Sequence, residues 1–188
     1  MEFVQPIRDK KALDTMKKIL RSNNLRDYCL FILGINSGLR ISDLLTLQVS
    51  NVLDDKGKIK DRIVIREKKT NKLKDFPLGE TSKKALKEYL ATVDISPNTA
   101  LFTSRKGCKP ITRQQAYRIL NDAARAIGIK DQIGTHSLRK TFGYHAFKAG
   151  VDITRIQKLL NHSSPSVTLA YIGITQDELD NVYLNLNL

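Results

Sequence analysis

Two arginines, two histidines and one tyrosine have the residue types and spacings that chemistry on a phosphate group would need. His136 and Arg139 lie three residues apart, Tyr171 follows His162 by nine residues, and Arg40 comes just after a glycine. A guanidinium offers a fixed fork of donors to phosphate oxygens, and an imidazole can exchange a proton near neutral pH. A phenol becomes a nucleophile when a base and neighbouring cations activate it. Taken singly, each residue is explained equally well as part of a polar or amphipathic surface, so the chemistry depends on the elements that position them.

The charge balance of the chain favours a polyanionic partner. Its 188 residues include 32 Lys and Arg against 19 Asp and Glu, a formal net charge of +13. Such an excess of positive charge favours nucleic acid as the partner, with an anionic membrane surface as the second candidate. No apolar run approaches the roughly 18 residues of a transmembrane helix, and the N-terminus lacks the pattern of a secretory signal. Cys29 and Cys108 have no metal-binding spacing, and the three histidines lack an acidic cluster, so we expect a cytoplasmic protein without a metal site.

Most of the sequence has the apolar periodicity of helices. Residues 25–35 are apolar on nearly every side, which predicts a fully buried helix. Further helices are predicted over 12–21, 42–47, 81–91, from 112 onward, and over 136–149, 153–160 and 166–171. The predicted N-caps are Ser42 or a neighbour, Thr112 in a capping box with Gln115, Thr135, Asp152 and Ser166, with a second capping box over 175–178.

The periodicity changes to that of strands after residue 51. Short β-type runs occur at Ile59, over residues 63–65 and over residues 73–78, and polar turn segments separate these runs. This pattern predicts a small antiparallel β-meander. The predicted fold is therefore mainly α with this small sheet, an α+β domain that covers residues 1–188 without an internal linker.

Five short motifs follow one another in the order in which the tyrosine recombinase (phage integrase) family carries them. They are Ser-Gly-Leu-Arg-Ile-Ser-Asp-Leu-Leu at 37–45, Glu-Lys-Lys-Thr-Asn-Lys at 67–72, His-Ser-Leu-Arg-Lys-Thr at 136–141, Leu-Leu-Asn-His at 159–162 and Ser-Val-Thr-Leu-Ala-Tyr at 166–171. One such motif would be a weak signal, but five in order with family-like spacing are specific. From about residue 6 to its end, the chain resembles the catalytic domain of this family, whose fold is shared with type IB topoisomerases.

The resemblance implies a reaction on DNA that needs neither ATP nor a metal, and therefore no cofactor. Tyr171 would attack a phosphodiester, form a 3′-phosphotyrosyl bond and release a 5′-hydroxyl. Arg40 and Arg139 would stabilise the negative charge that develops on the non-bridging oxygens, a role to which guanidinium forks are suited.

The same resemblance gives the remaining groups their roles in proton transfer and positioning. His136 would accept the proton of the tyrosine, because a phenol with an ordinary pKa of about 10 is a poor nucleophile at neutral pH. His162 would hydrogen-bond a non-bridging oxygen. Lys69 would protonate the departing 5′-oxygen, with Lys68 as the alternative. Asp43 resembles the acidic residue that orients the family's active site, although its spacing from Arg40 fits an exposed carboxylate nearly as well.

Contacts to double-stranded DNA are expected from a further group of polar residues. These are Lys68, Lys72 and Lys74 on the hairpin, Arg113 and Gln114 at the start of a helix, and Lys140 beside the second arginine. The hairpin lysines alone would also fit a solvated turn.

Two features depart from the family's pattern. Asn161 stands where the family usually has glycine. The separate DNA-clamping domain that most members carry before the catalytic domain has no counterpart in this sequence, as in the short inverting recombinases. We therefore expect binding that weakens steeply with salt, and help from an accessory DNA-binding protein or from cooperative assembly.

The sequence thus favours a site-specific recombinase that integrates, excises or inverts DNA, with two alternatives. One is a regulator that keeps the fold and binds DNA without cutting it, and the other is a relaxing enzyme of the type IB topoisomerase class. The resemblance also implies a tetramer on DNA, associated with the nucleoid, in which the C-terminal tail, about 175–188, passes to a neighbouring protomer. The tail's apolar pattern allows either a helix or a strand.

Overall fold

The computed structural model describes residues 4–93, 96–104 and 109–174, together with residues 178 and 184. Among these described residues most elements are helices, and one pair of strands forms a sheet. In chain order the elements are α1 (Lys10–Asn23), α2 (Leu25–Ser37), α3 (Ile41–Leu44), α4 (Val49–Val52), β1 (Arg62–Arg66), β2 (Leu73–Pro77), α5 (Glu80–Leu90), α6 (Arg113–Ala126), α7 (Thr135–Lys148), α8 (Ile153–Leu160) and α9 (Pro165–Ile172). No helix among the described residues is both long enough and apolar enough to cross a membrane.

Helix α2 forms the centre of the main core. Its residues 28–34 are all buried, which confirms the helix predicted from the apolar run, and it packs against α1, α5 and α7. The helix ends at Gly38, whose φ of 60° lies in the left-handed region that glycine adopts without strain. Arg40 follows this turn by two residues.

A second apolar cluster holds the C-terminal helices together. Tyr144 of α7 packs with Ile156 and Leu160 of α8 and with Ile172 of α9. Because α8 ends just before His162 and α9 carries Tyr171, this cluster sets the positions of both residues relative to α7.

The sheet has two strands rather than the three of the predicted meander. Strands β1 and β2 pair antiparallel, from Arg62 opposite Pro77 to Arg66 opposite Leu73. Ile59 makes only an isolated bridge with Leu53, because the Asp54 carboxylate accepts the backbone N–H groups of residues 56 and 58 and folds this segment back on itself.

Two of the predicted N-caps are confirmed. Thr112 accepts from the N–H of Gln115, and the Gln115 side chain accepts from the N–H of Thr112, so both halves of the capping box are present. Asp152 accepts from the N–H groups of Thr154 and Arg155 at the start of α8.

Three other caps were predicted wrongly, each because the helix begins earlier than expected. Ser42 lies inside α3, and Thr135 is the first residue of α7, where the extended Gly134 occupies the cap position. Ser164 caps α9 in place of Ser166, because Pro165 is already preorganised for the first helical position. The capping box over 175–178 and Cys108 fall on residues that lie, apart from Glu178, outside the described part of the chain.

Helices α2 and α7 pack closely at Gly34. A Cβ atom added to Gly34 would lie 2.5 Å from Cδ1 and 3.1 Å from Cβ of Leu138. Because the Leu138 Cβ atom is fixed to the backbone, a side chain at position 34 must push the two helices apart. The absence of a side chain at this position therefore sets the separation between Arg40, which follows α2, and Arg139 on α7.

We expect Gly34→Ala to lower the free energy of unfolding by about 1–2 kcal/mol. Overpacking a core costs roughly 1–3 kcal/mol, of which the better helix propensity of alanine returns up to about 1 kcal/mol. Urea denaturation of the two proteins measures the change. A Leu138→Ala background removes the 2.5 Å contact with Cδ1 and keeps only the 3.1 Å contact with Cβ, so the same substitution should cost clearly less there. An equal loss in both backgrounds would contradict the packing argument.

Candidate active site

Arg40 is held at the start of α3 by a buried carboxylate. Its Nη1 atom lies 2.8 Å from Oε1 of Glu67, which is only 3% exposed. The Thr70 hydroxyl donates to the other carboxylate oxygen at 2.7 Å. Burial raises the pKa of Glu67, but the hydrogen bond from Thr70 and the ion pair with Arg40 outweigh it and leave this pKa below its ordinary value. Glu67 is therefore an anion that fixes the Arg40 guanidinium.

Asp43 is buried rather than exposed, so the surface alternative left open by its spacing does not apply. It is 1% exposed, and its Oδ1 atom accepts the backbone N–H of Lys68 at 2.9 Å. This bond ties the start of the turn between β1 and β2 to α3.

Arg139 lies at the centre of the cluster and bridges two helix ends. It is 3% exposed, and its two terminal nitrogens donate to the carbonyls of Gly38, after α2, and of Leu160, the last residue of α8. Its charge also acts on the Tyr171 hydroxyl and opposes the rise in the pKa of that group. The second arginine therefore contacts the segments that lead to Arg40 and His162, and its charge reaches the nucleophile candidate.

Tyr171 is half-buried and remains a neutral phenol in the free protein. Burial raises its pKa, and the opposing effects of Arg139 and Arg40 do not fully offset this. The residue can become a nucleophile only when a base removes its proton or a bound group changes its surroundings.

His162 packs edge-on against Tyr171, with ring centroids 4.7 Å apart. Burial and then the charges of Arg139 and Arg40 lower its pKa to about 4, so the ring is neutral at pH 7. The Thr168 hydroxyl donates to the Ser164 carbonyl, and its oxygen lies 3.2 Å from His162 Nδ1. In this arrangement Nδ1 carries the proton of the neutral ring and Nε2 is an acceptor.

His136 is also a neutral proton acceptor. The Arg113 guanidinium, which can only donate, lies 2.9 Å from its Nε2 atom. Partial burial of the ring and then the neighbouring cations, Arg113 first, lower the pKa of His136. His136, Arg113 and Tyr171 line one cavity of about 900 Å³. Arg113 and Gln114 are the exposed first two residues of α6.

Two lysines among the expected DNA contacts turn inward in the free protein. Lys74 is half-buried, and its Nζ atom donates to the carbonyls of Leu159 at 3.2 Å and Gly38 at 3.4 Å. Burial and then Arg139 lower the pKa of Lys74 to about 8. Lys140 is 6% exposed, and its Nζ atom lies 5.3 Å from the centroid of the Tyr171 ring. Packing against the site, rather than chain position, decides where these side chains point.

The other hairpin lysines remain on the surface. Lys68 and Lys69 lie in the exposed turn between the strands, and Lys72 is exposed just before β2. The structure thus gathers Arg40, Arg139, His162 and Tyr171 at one place and leaves Lys69 on a turn at its edge.

Glu67 is the site residue that the motifs did not single out. The signal was present in the alternation of Ile63, Ile65 and Glu67, since every second residue of a strand faces the same side. A carboxylate that continues an inward-facing apolar row needs a cationic partner, and Arg40 is that partner. Among the described residues, no cluster of three or more His, Cys, Asp or Glu side chains could hold a metal ion.

Comparison with protein families tests the resemblance carried by the five motifs. The model of the phage integrase family matches residues 6–178 of the chain. The chain belongs to the phage integrase family. Because the match spans all five motifs, the resemblance predicted from them is confirmed.

Curated members of the phage integrase family cover the chain almost completely. The probable integrase/recombinase YoeC of Bacillus subtilis is 49% identical over 177 residues, which are 94% of this chain and 93% of YoeC. The tyrosine recombinase XerC of Thermodesulfovibrio yellowstonii is 35% identical over 166 residues, which are 84% of this chain and 53% of XerC. The chain therefore spans nearly all of YoeC and about half of XerC.

Solved structures of tyrosine recombinases share the fold. The crystal structure of XerA recombinase matches with a TM-score of 0.78 at 23% sequence identity. The match covers 100% of this chain and 65% of the XerA chain. A post-cleavage complex of XerH site-specific recombinase with palindromic difH substrate has a TM-score of 0.73 at 20% identity, over 96% of this chain and 53% of XerH. The predicted catalytic-domain fold, mainly α with a small sheet, is confirmed.

We expect His162 to titrate near pH 4 in the free protein, well below the ordinary histidine value of about 6.5. Because the folded-state pKa is lowered, the neutral ring stabilises the fold above pH 6.5, and this contribution is lost as the pH falls from 6.5 towards 4. The pH dependence of the His162 ring resonances in NMR spectra measures the value directly.

Arg139→Gln should raise the pKa of His162 part of the way, since burial remains, whereas Arg139→Lys should keep it low. A His162 pKa near 6.5 in the wild-type protein would show that the ring is not held beside the two arginines.

Proposed function

We propose that this tyrosine recombinase cuts and rejoins double-stranded DNA at specific sites through a covalent bond between Tyr171 and a 3′-phosphate. The observation that carries the proposal is the position of Tyr171, whose ring packs against His162 with centroids 4.7 Å apart and whose pKa responds to the charges of the buried Arg139 and of Arg40. A structural tyrosine needs no such surroundings. A phenol that must attack an anionic phosphate needs cations that bind the phosphate and a hydroxyl that faces it.

Arg40 and Arg139 bind the scissile phosphate in this proposal. Both guanidiniums are fixed before DNA arrives, Arg40 by Glu67 and Arg139 by two backbone carbonyls. Preorganised donors of this kind stabilise the charge of the transition state without rearranging, and loss of one donor costs on the order of 2.7–4 kcal/mol.

The proposed step moves two protons while one phosphorus–oxygen bond replaces another. The Tyr171 oxygen forms a bond to phosphorus as its proton passes to His136, whose Nε2 atom Arg113 must first release. The bond to the 5′-oxygen breaks as Lys69 supplies that oxygen with a proton. Attack by a 5′-hydroxyl from a second strand reverses the step and frees the tyrosine. His162 takes up a proton as the phosphate arrives, because its Nε2 atom is an acceptor in the free protein and must donate to a phosphate oxygen.

DNA is held mainly by charge. Lys68 and Lys72 on the hairpin and Arg113 and Gln114 at the start of α6 are exposed on the described surface, and the chain carries a net charge of +13. Contacts with phosphates from these groups would position the duplex, and the first turn of α6 offers side chains suited to a groove.

We expect wild-type protein to form a covalent adduct with a suicide substrate that is nicked near the cleavage site. Tyr171→Phe should form no adduct and should still bind the same DNA, because the substitution removes only the nucleophilic oxygen. Tyr117→Phe is the matched control, since Tyr117 lines the same cavity and should not be needed. Denaturing gels detect the adduct, and gel-shift assays measure binding.

Two results would replace the proposal with an alternative. If wild-type protein and Tyr171→Phe both bind DNA and neither forms an adduct, the protein is a non-cleaving regulator. If the wild-type protein relaxes supercoiled DNA without regard to sequence, it acts as a type IB topoisomerase-like enzyme.

We further propose that residues 1–188 act as one catalytic domain that assembles into a tetramer on DNA. In this proposal residues 175–188 pass to a neighbouring protomer and an accessory DNA-binding protein strengthens the grip. The root of the tail is tied to α7, because the Glu178 carboxylate lies 2.6 Å from Lys148 Nζ and accepts from the Tyr144 hydroxyl at 3.4 Å. At the other described position of the tail, Leu184 is 75% exposed.

Deletion of residues 179–188 should abolish strand exchange and pairing of two sites while leaving the melting temperature and single-site binding nearly unchanged. The truncation keeps Glu178 and removes the segment proposed to join protomers. Recombination assays, gel shifts with one and two sites, and thermal denaturation separate these effects. Normal recombination by the truncated protein would rule out tail exchange, and unfolding would show that the tail belongs to its own core.

A further inference from the structure

Asn161 occupies the motif position at which the family usually has glycine, and its backbone explains part of this choice. With φ of 50° and ψ of 49° it adopts the left-handed conformation that ends α8 and turns the chain towards His162. Glycine adopts this conformation freely, and asparagine is among the few other residues that tolerate it. The backbone therefore requires glycine or a close substitute, but it does not require an amide side chain.

The Asn161 amide contacts both ends of the turn between β1 and β2. Its Nδ2 atom donates to Oε2 of Glu67 at 3.4 Å, and its Oδ1 atom accepts from Nζ of Lys72 at 3.4 Å. The donor of the amide faces the anion and its acceptor faces the cation, so both halves of the side chain are used. Glu67 and Lys72 close the turn themselves, since the Glu67 N–H donates to the Lys72 carbonyl at 2.9 Å.

The turn that Asn161 contacts carries Lys69 and shares its anchor with Arg40. Glu67 is 3% exposed and pairs with Arg40 at 2.8 Å, while Thr70, next to Lys69, donates to the same carboxylate at 2.7 Å. On the other side, the residue before Asn161 supplies the carbonyl that accepts from Arg139. Asn161 thus joins the exposed turn to the segment that fixes the second arginine and His162.

We propose that Asn161 is a positioning residue that holds the β1–β2 turn against the end of α8 and so fixes where Lys69 can deliver a proton. The proposal rests on the role given above to Lys69 as the donor to the leaving 5′-oxygen. Glycine at this position would keep the backbone turn and lose the connection to the hairpin. Asparagine in place of the family's glycine therefore stabilises the hairpin turn and leaves the backbone of the motif intact.

Asn161→Gly is the informative variant, because it keeps the left-handed turn and removes only the amide. In the free protein, hydrogen exchange followed by NMR should become several-fold faster at the amides of residues 68–72, because the turn opens more readily. The amides of α7 should be unchanged. Asn161→Asp is the matched control: it retains an acceptor for Lys72 but places a carboxylate against Glu67, so it should loosen the turn as well.

The second measurement compares two DNA substrates that differ only in the leaving atom. A normal 5′-oxygen needs a proton as it leaves, whereas a 5′-bridging sulfur leaves readily as a thiolate. Lys69→Ala should slow cleavage of the oxygen substrate by about 100-fold or more and leave the sulfur substrate nearly unaffected. Asn161→Gly should slow the oxygen substrate on the order of tenfold and the sulfur substrate by less than about twofold, because it misplaces the donor without removing it.

The outcomes separate this inference from the proposed function. If Lys69→Ala distinguishes the substrates and Asn161→Gly matches wild type in both exchange and cleavage, the role of Asn161 is overturned while that of Lys69 stands. Equal slowing of both substrates by Asn161→Gly would likewise overturn it, since a general structural fault does not depend on the leaving atom. If Lys69→Ala slows both substrates equally, the proton-donor role fails and the catalytic part of the Asn161 proposal fails with it. No covalent product from wild-type protein on either substrate would overturn the proposed function itself.

Discussion

A buried cation held between two helix ends organises the site. The carbonyls at the C-terminus of a helix lack partners within the helix and carry partial negative charge. Arg139 donates to one such carbonyl after α2, at Gly38, and to another at the end of α8, at Leu160. On burial the guanidinium loses its hydrating water and gains these two carbonyl acceptors. The carbonyls at the two helix ends, which are buried with it, gain a hydrogen-bond donor. Helix α7 is thereby fixed to both neighbours at the point where the chemistry is placed.

Burial, followed by the concentrated positive charge around this contact, accounts for the titration behaviour of the site. Arg40 and Lys74 lie close enough to act on Arg139 or its neighbours, and the Glu67 carboxylate compensates part of their charge. After burial, the charge of Arg139 is the next cause of the low pKa of His162 and of Lys74. Titratable groups with strongly shifted pKa values gather at functional sites, because the electrostatic field of such a site suits the charge of a bound ligand. A phosphate would supply that charge.

From local physics the sequence predicted the main helices and two of their caps, although three other caps were misplaced, and it missed features that depend on packing. The capping box at Thr112 and the buried helix over 25–35 needed only residue types and spacing. Lys74 and Lys140 could not be distinguished from surface lysines, since a long side chain turns inward only where tertiary structure provides a carbonyl or a ring for it. Glu67 lay within a quoted motif, but its burial depends on an ion pair with a residue that is distant in sequence. The roles of the gathered residues in the reaction remain predictions.

During synthesis on the ribosome, the parts of the site emerge in a fixed order. Arg40 and the lysines of the hairpin turn are made early, whereas Arg139 and Tyr171 come much later. The face of α2 around Gly34 has no partner until Leu138 has been made, and the ends of α2 and α8 have no bridging guanidinium until α7 folds between them. A nascent chain therefore displays cationic surface before Tyr171, the proposed nucleophile, is held in place. Its charge can attract DNA while it is still incomplete, whereas the proposed nucleophile reaches its position only after α9 has packed onto α7.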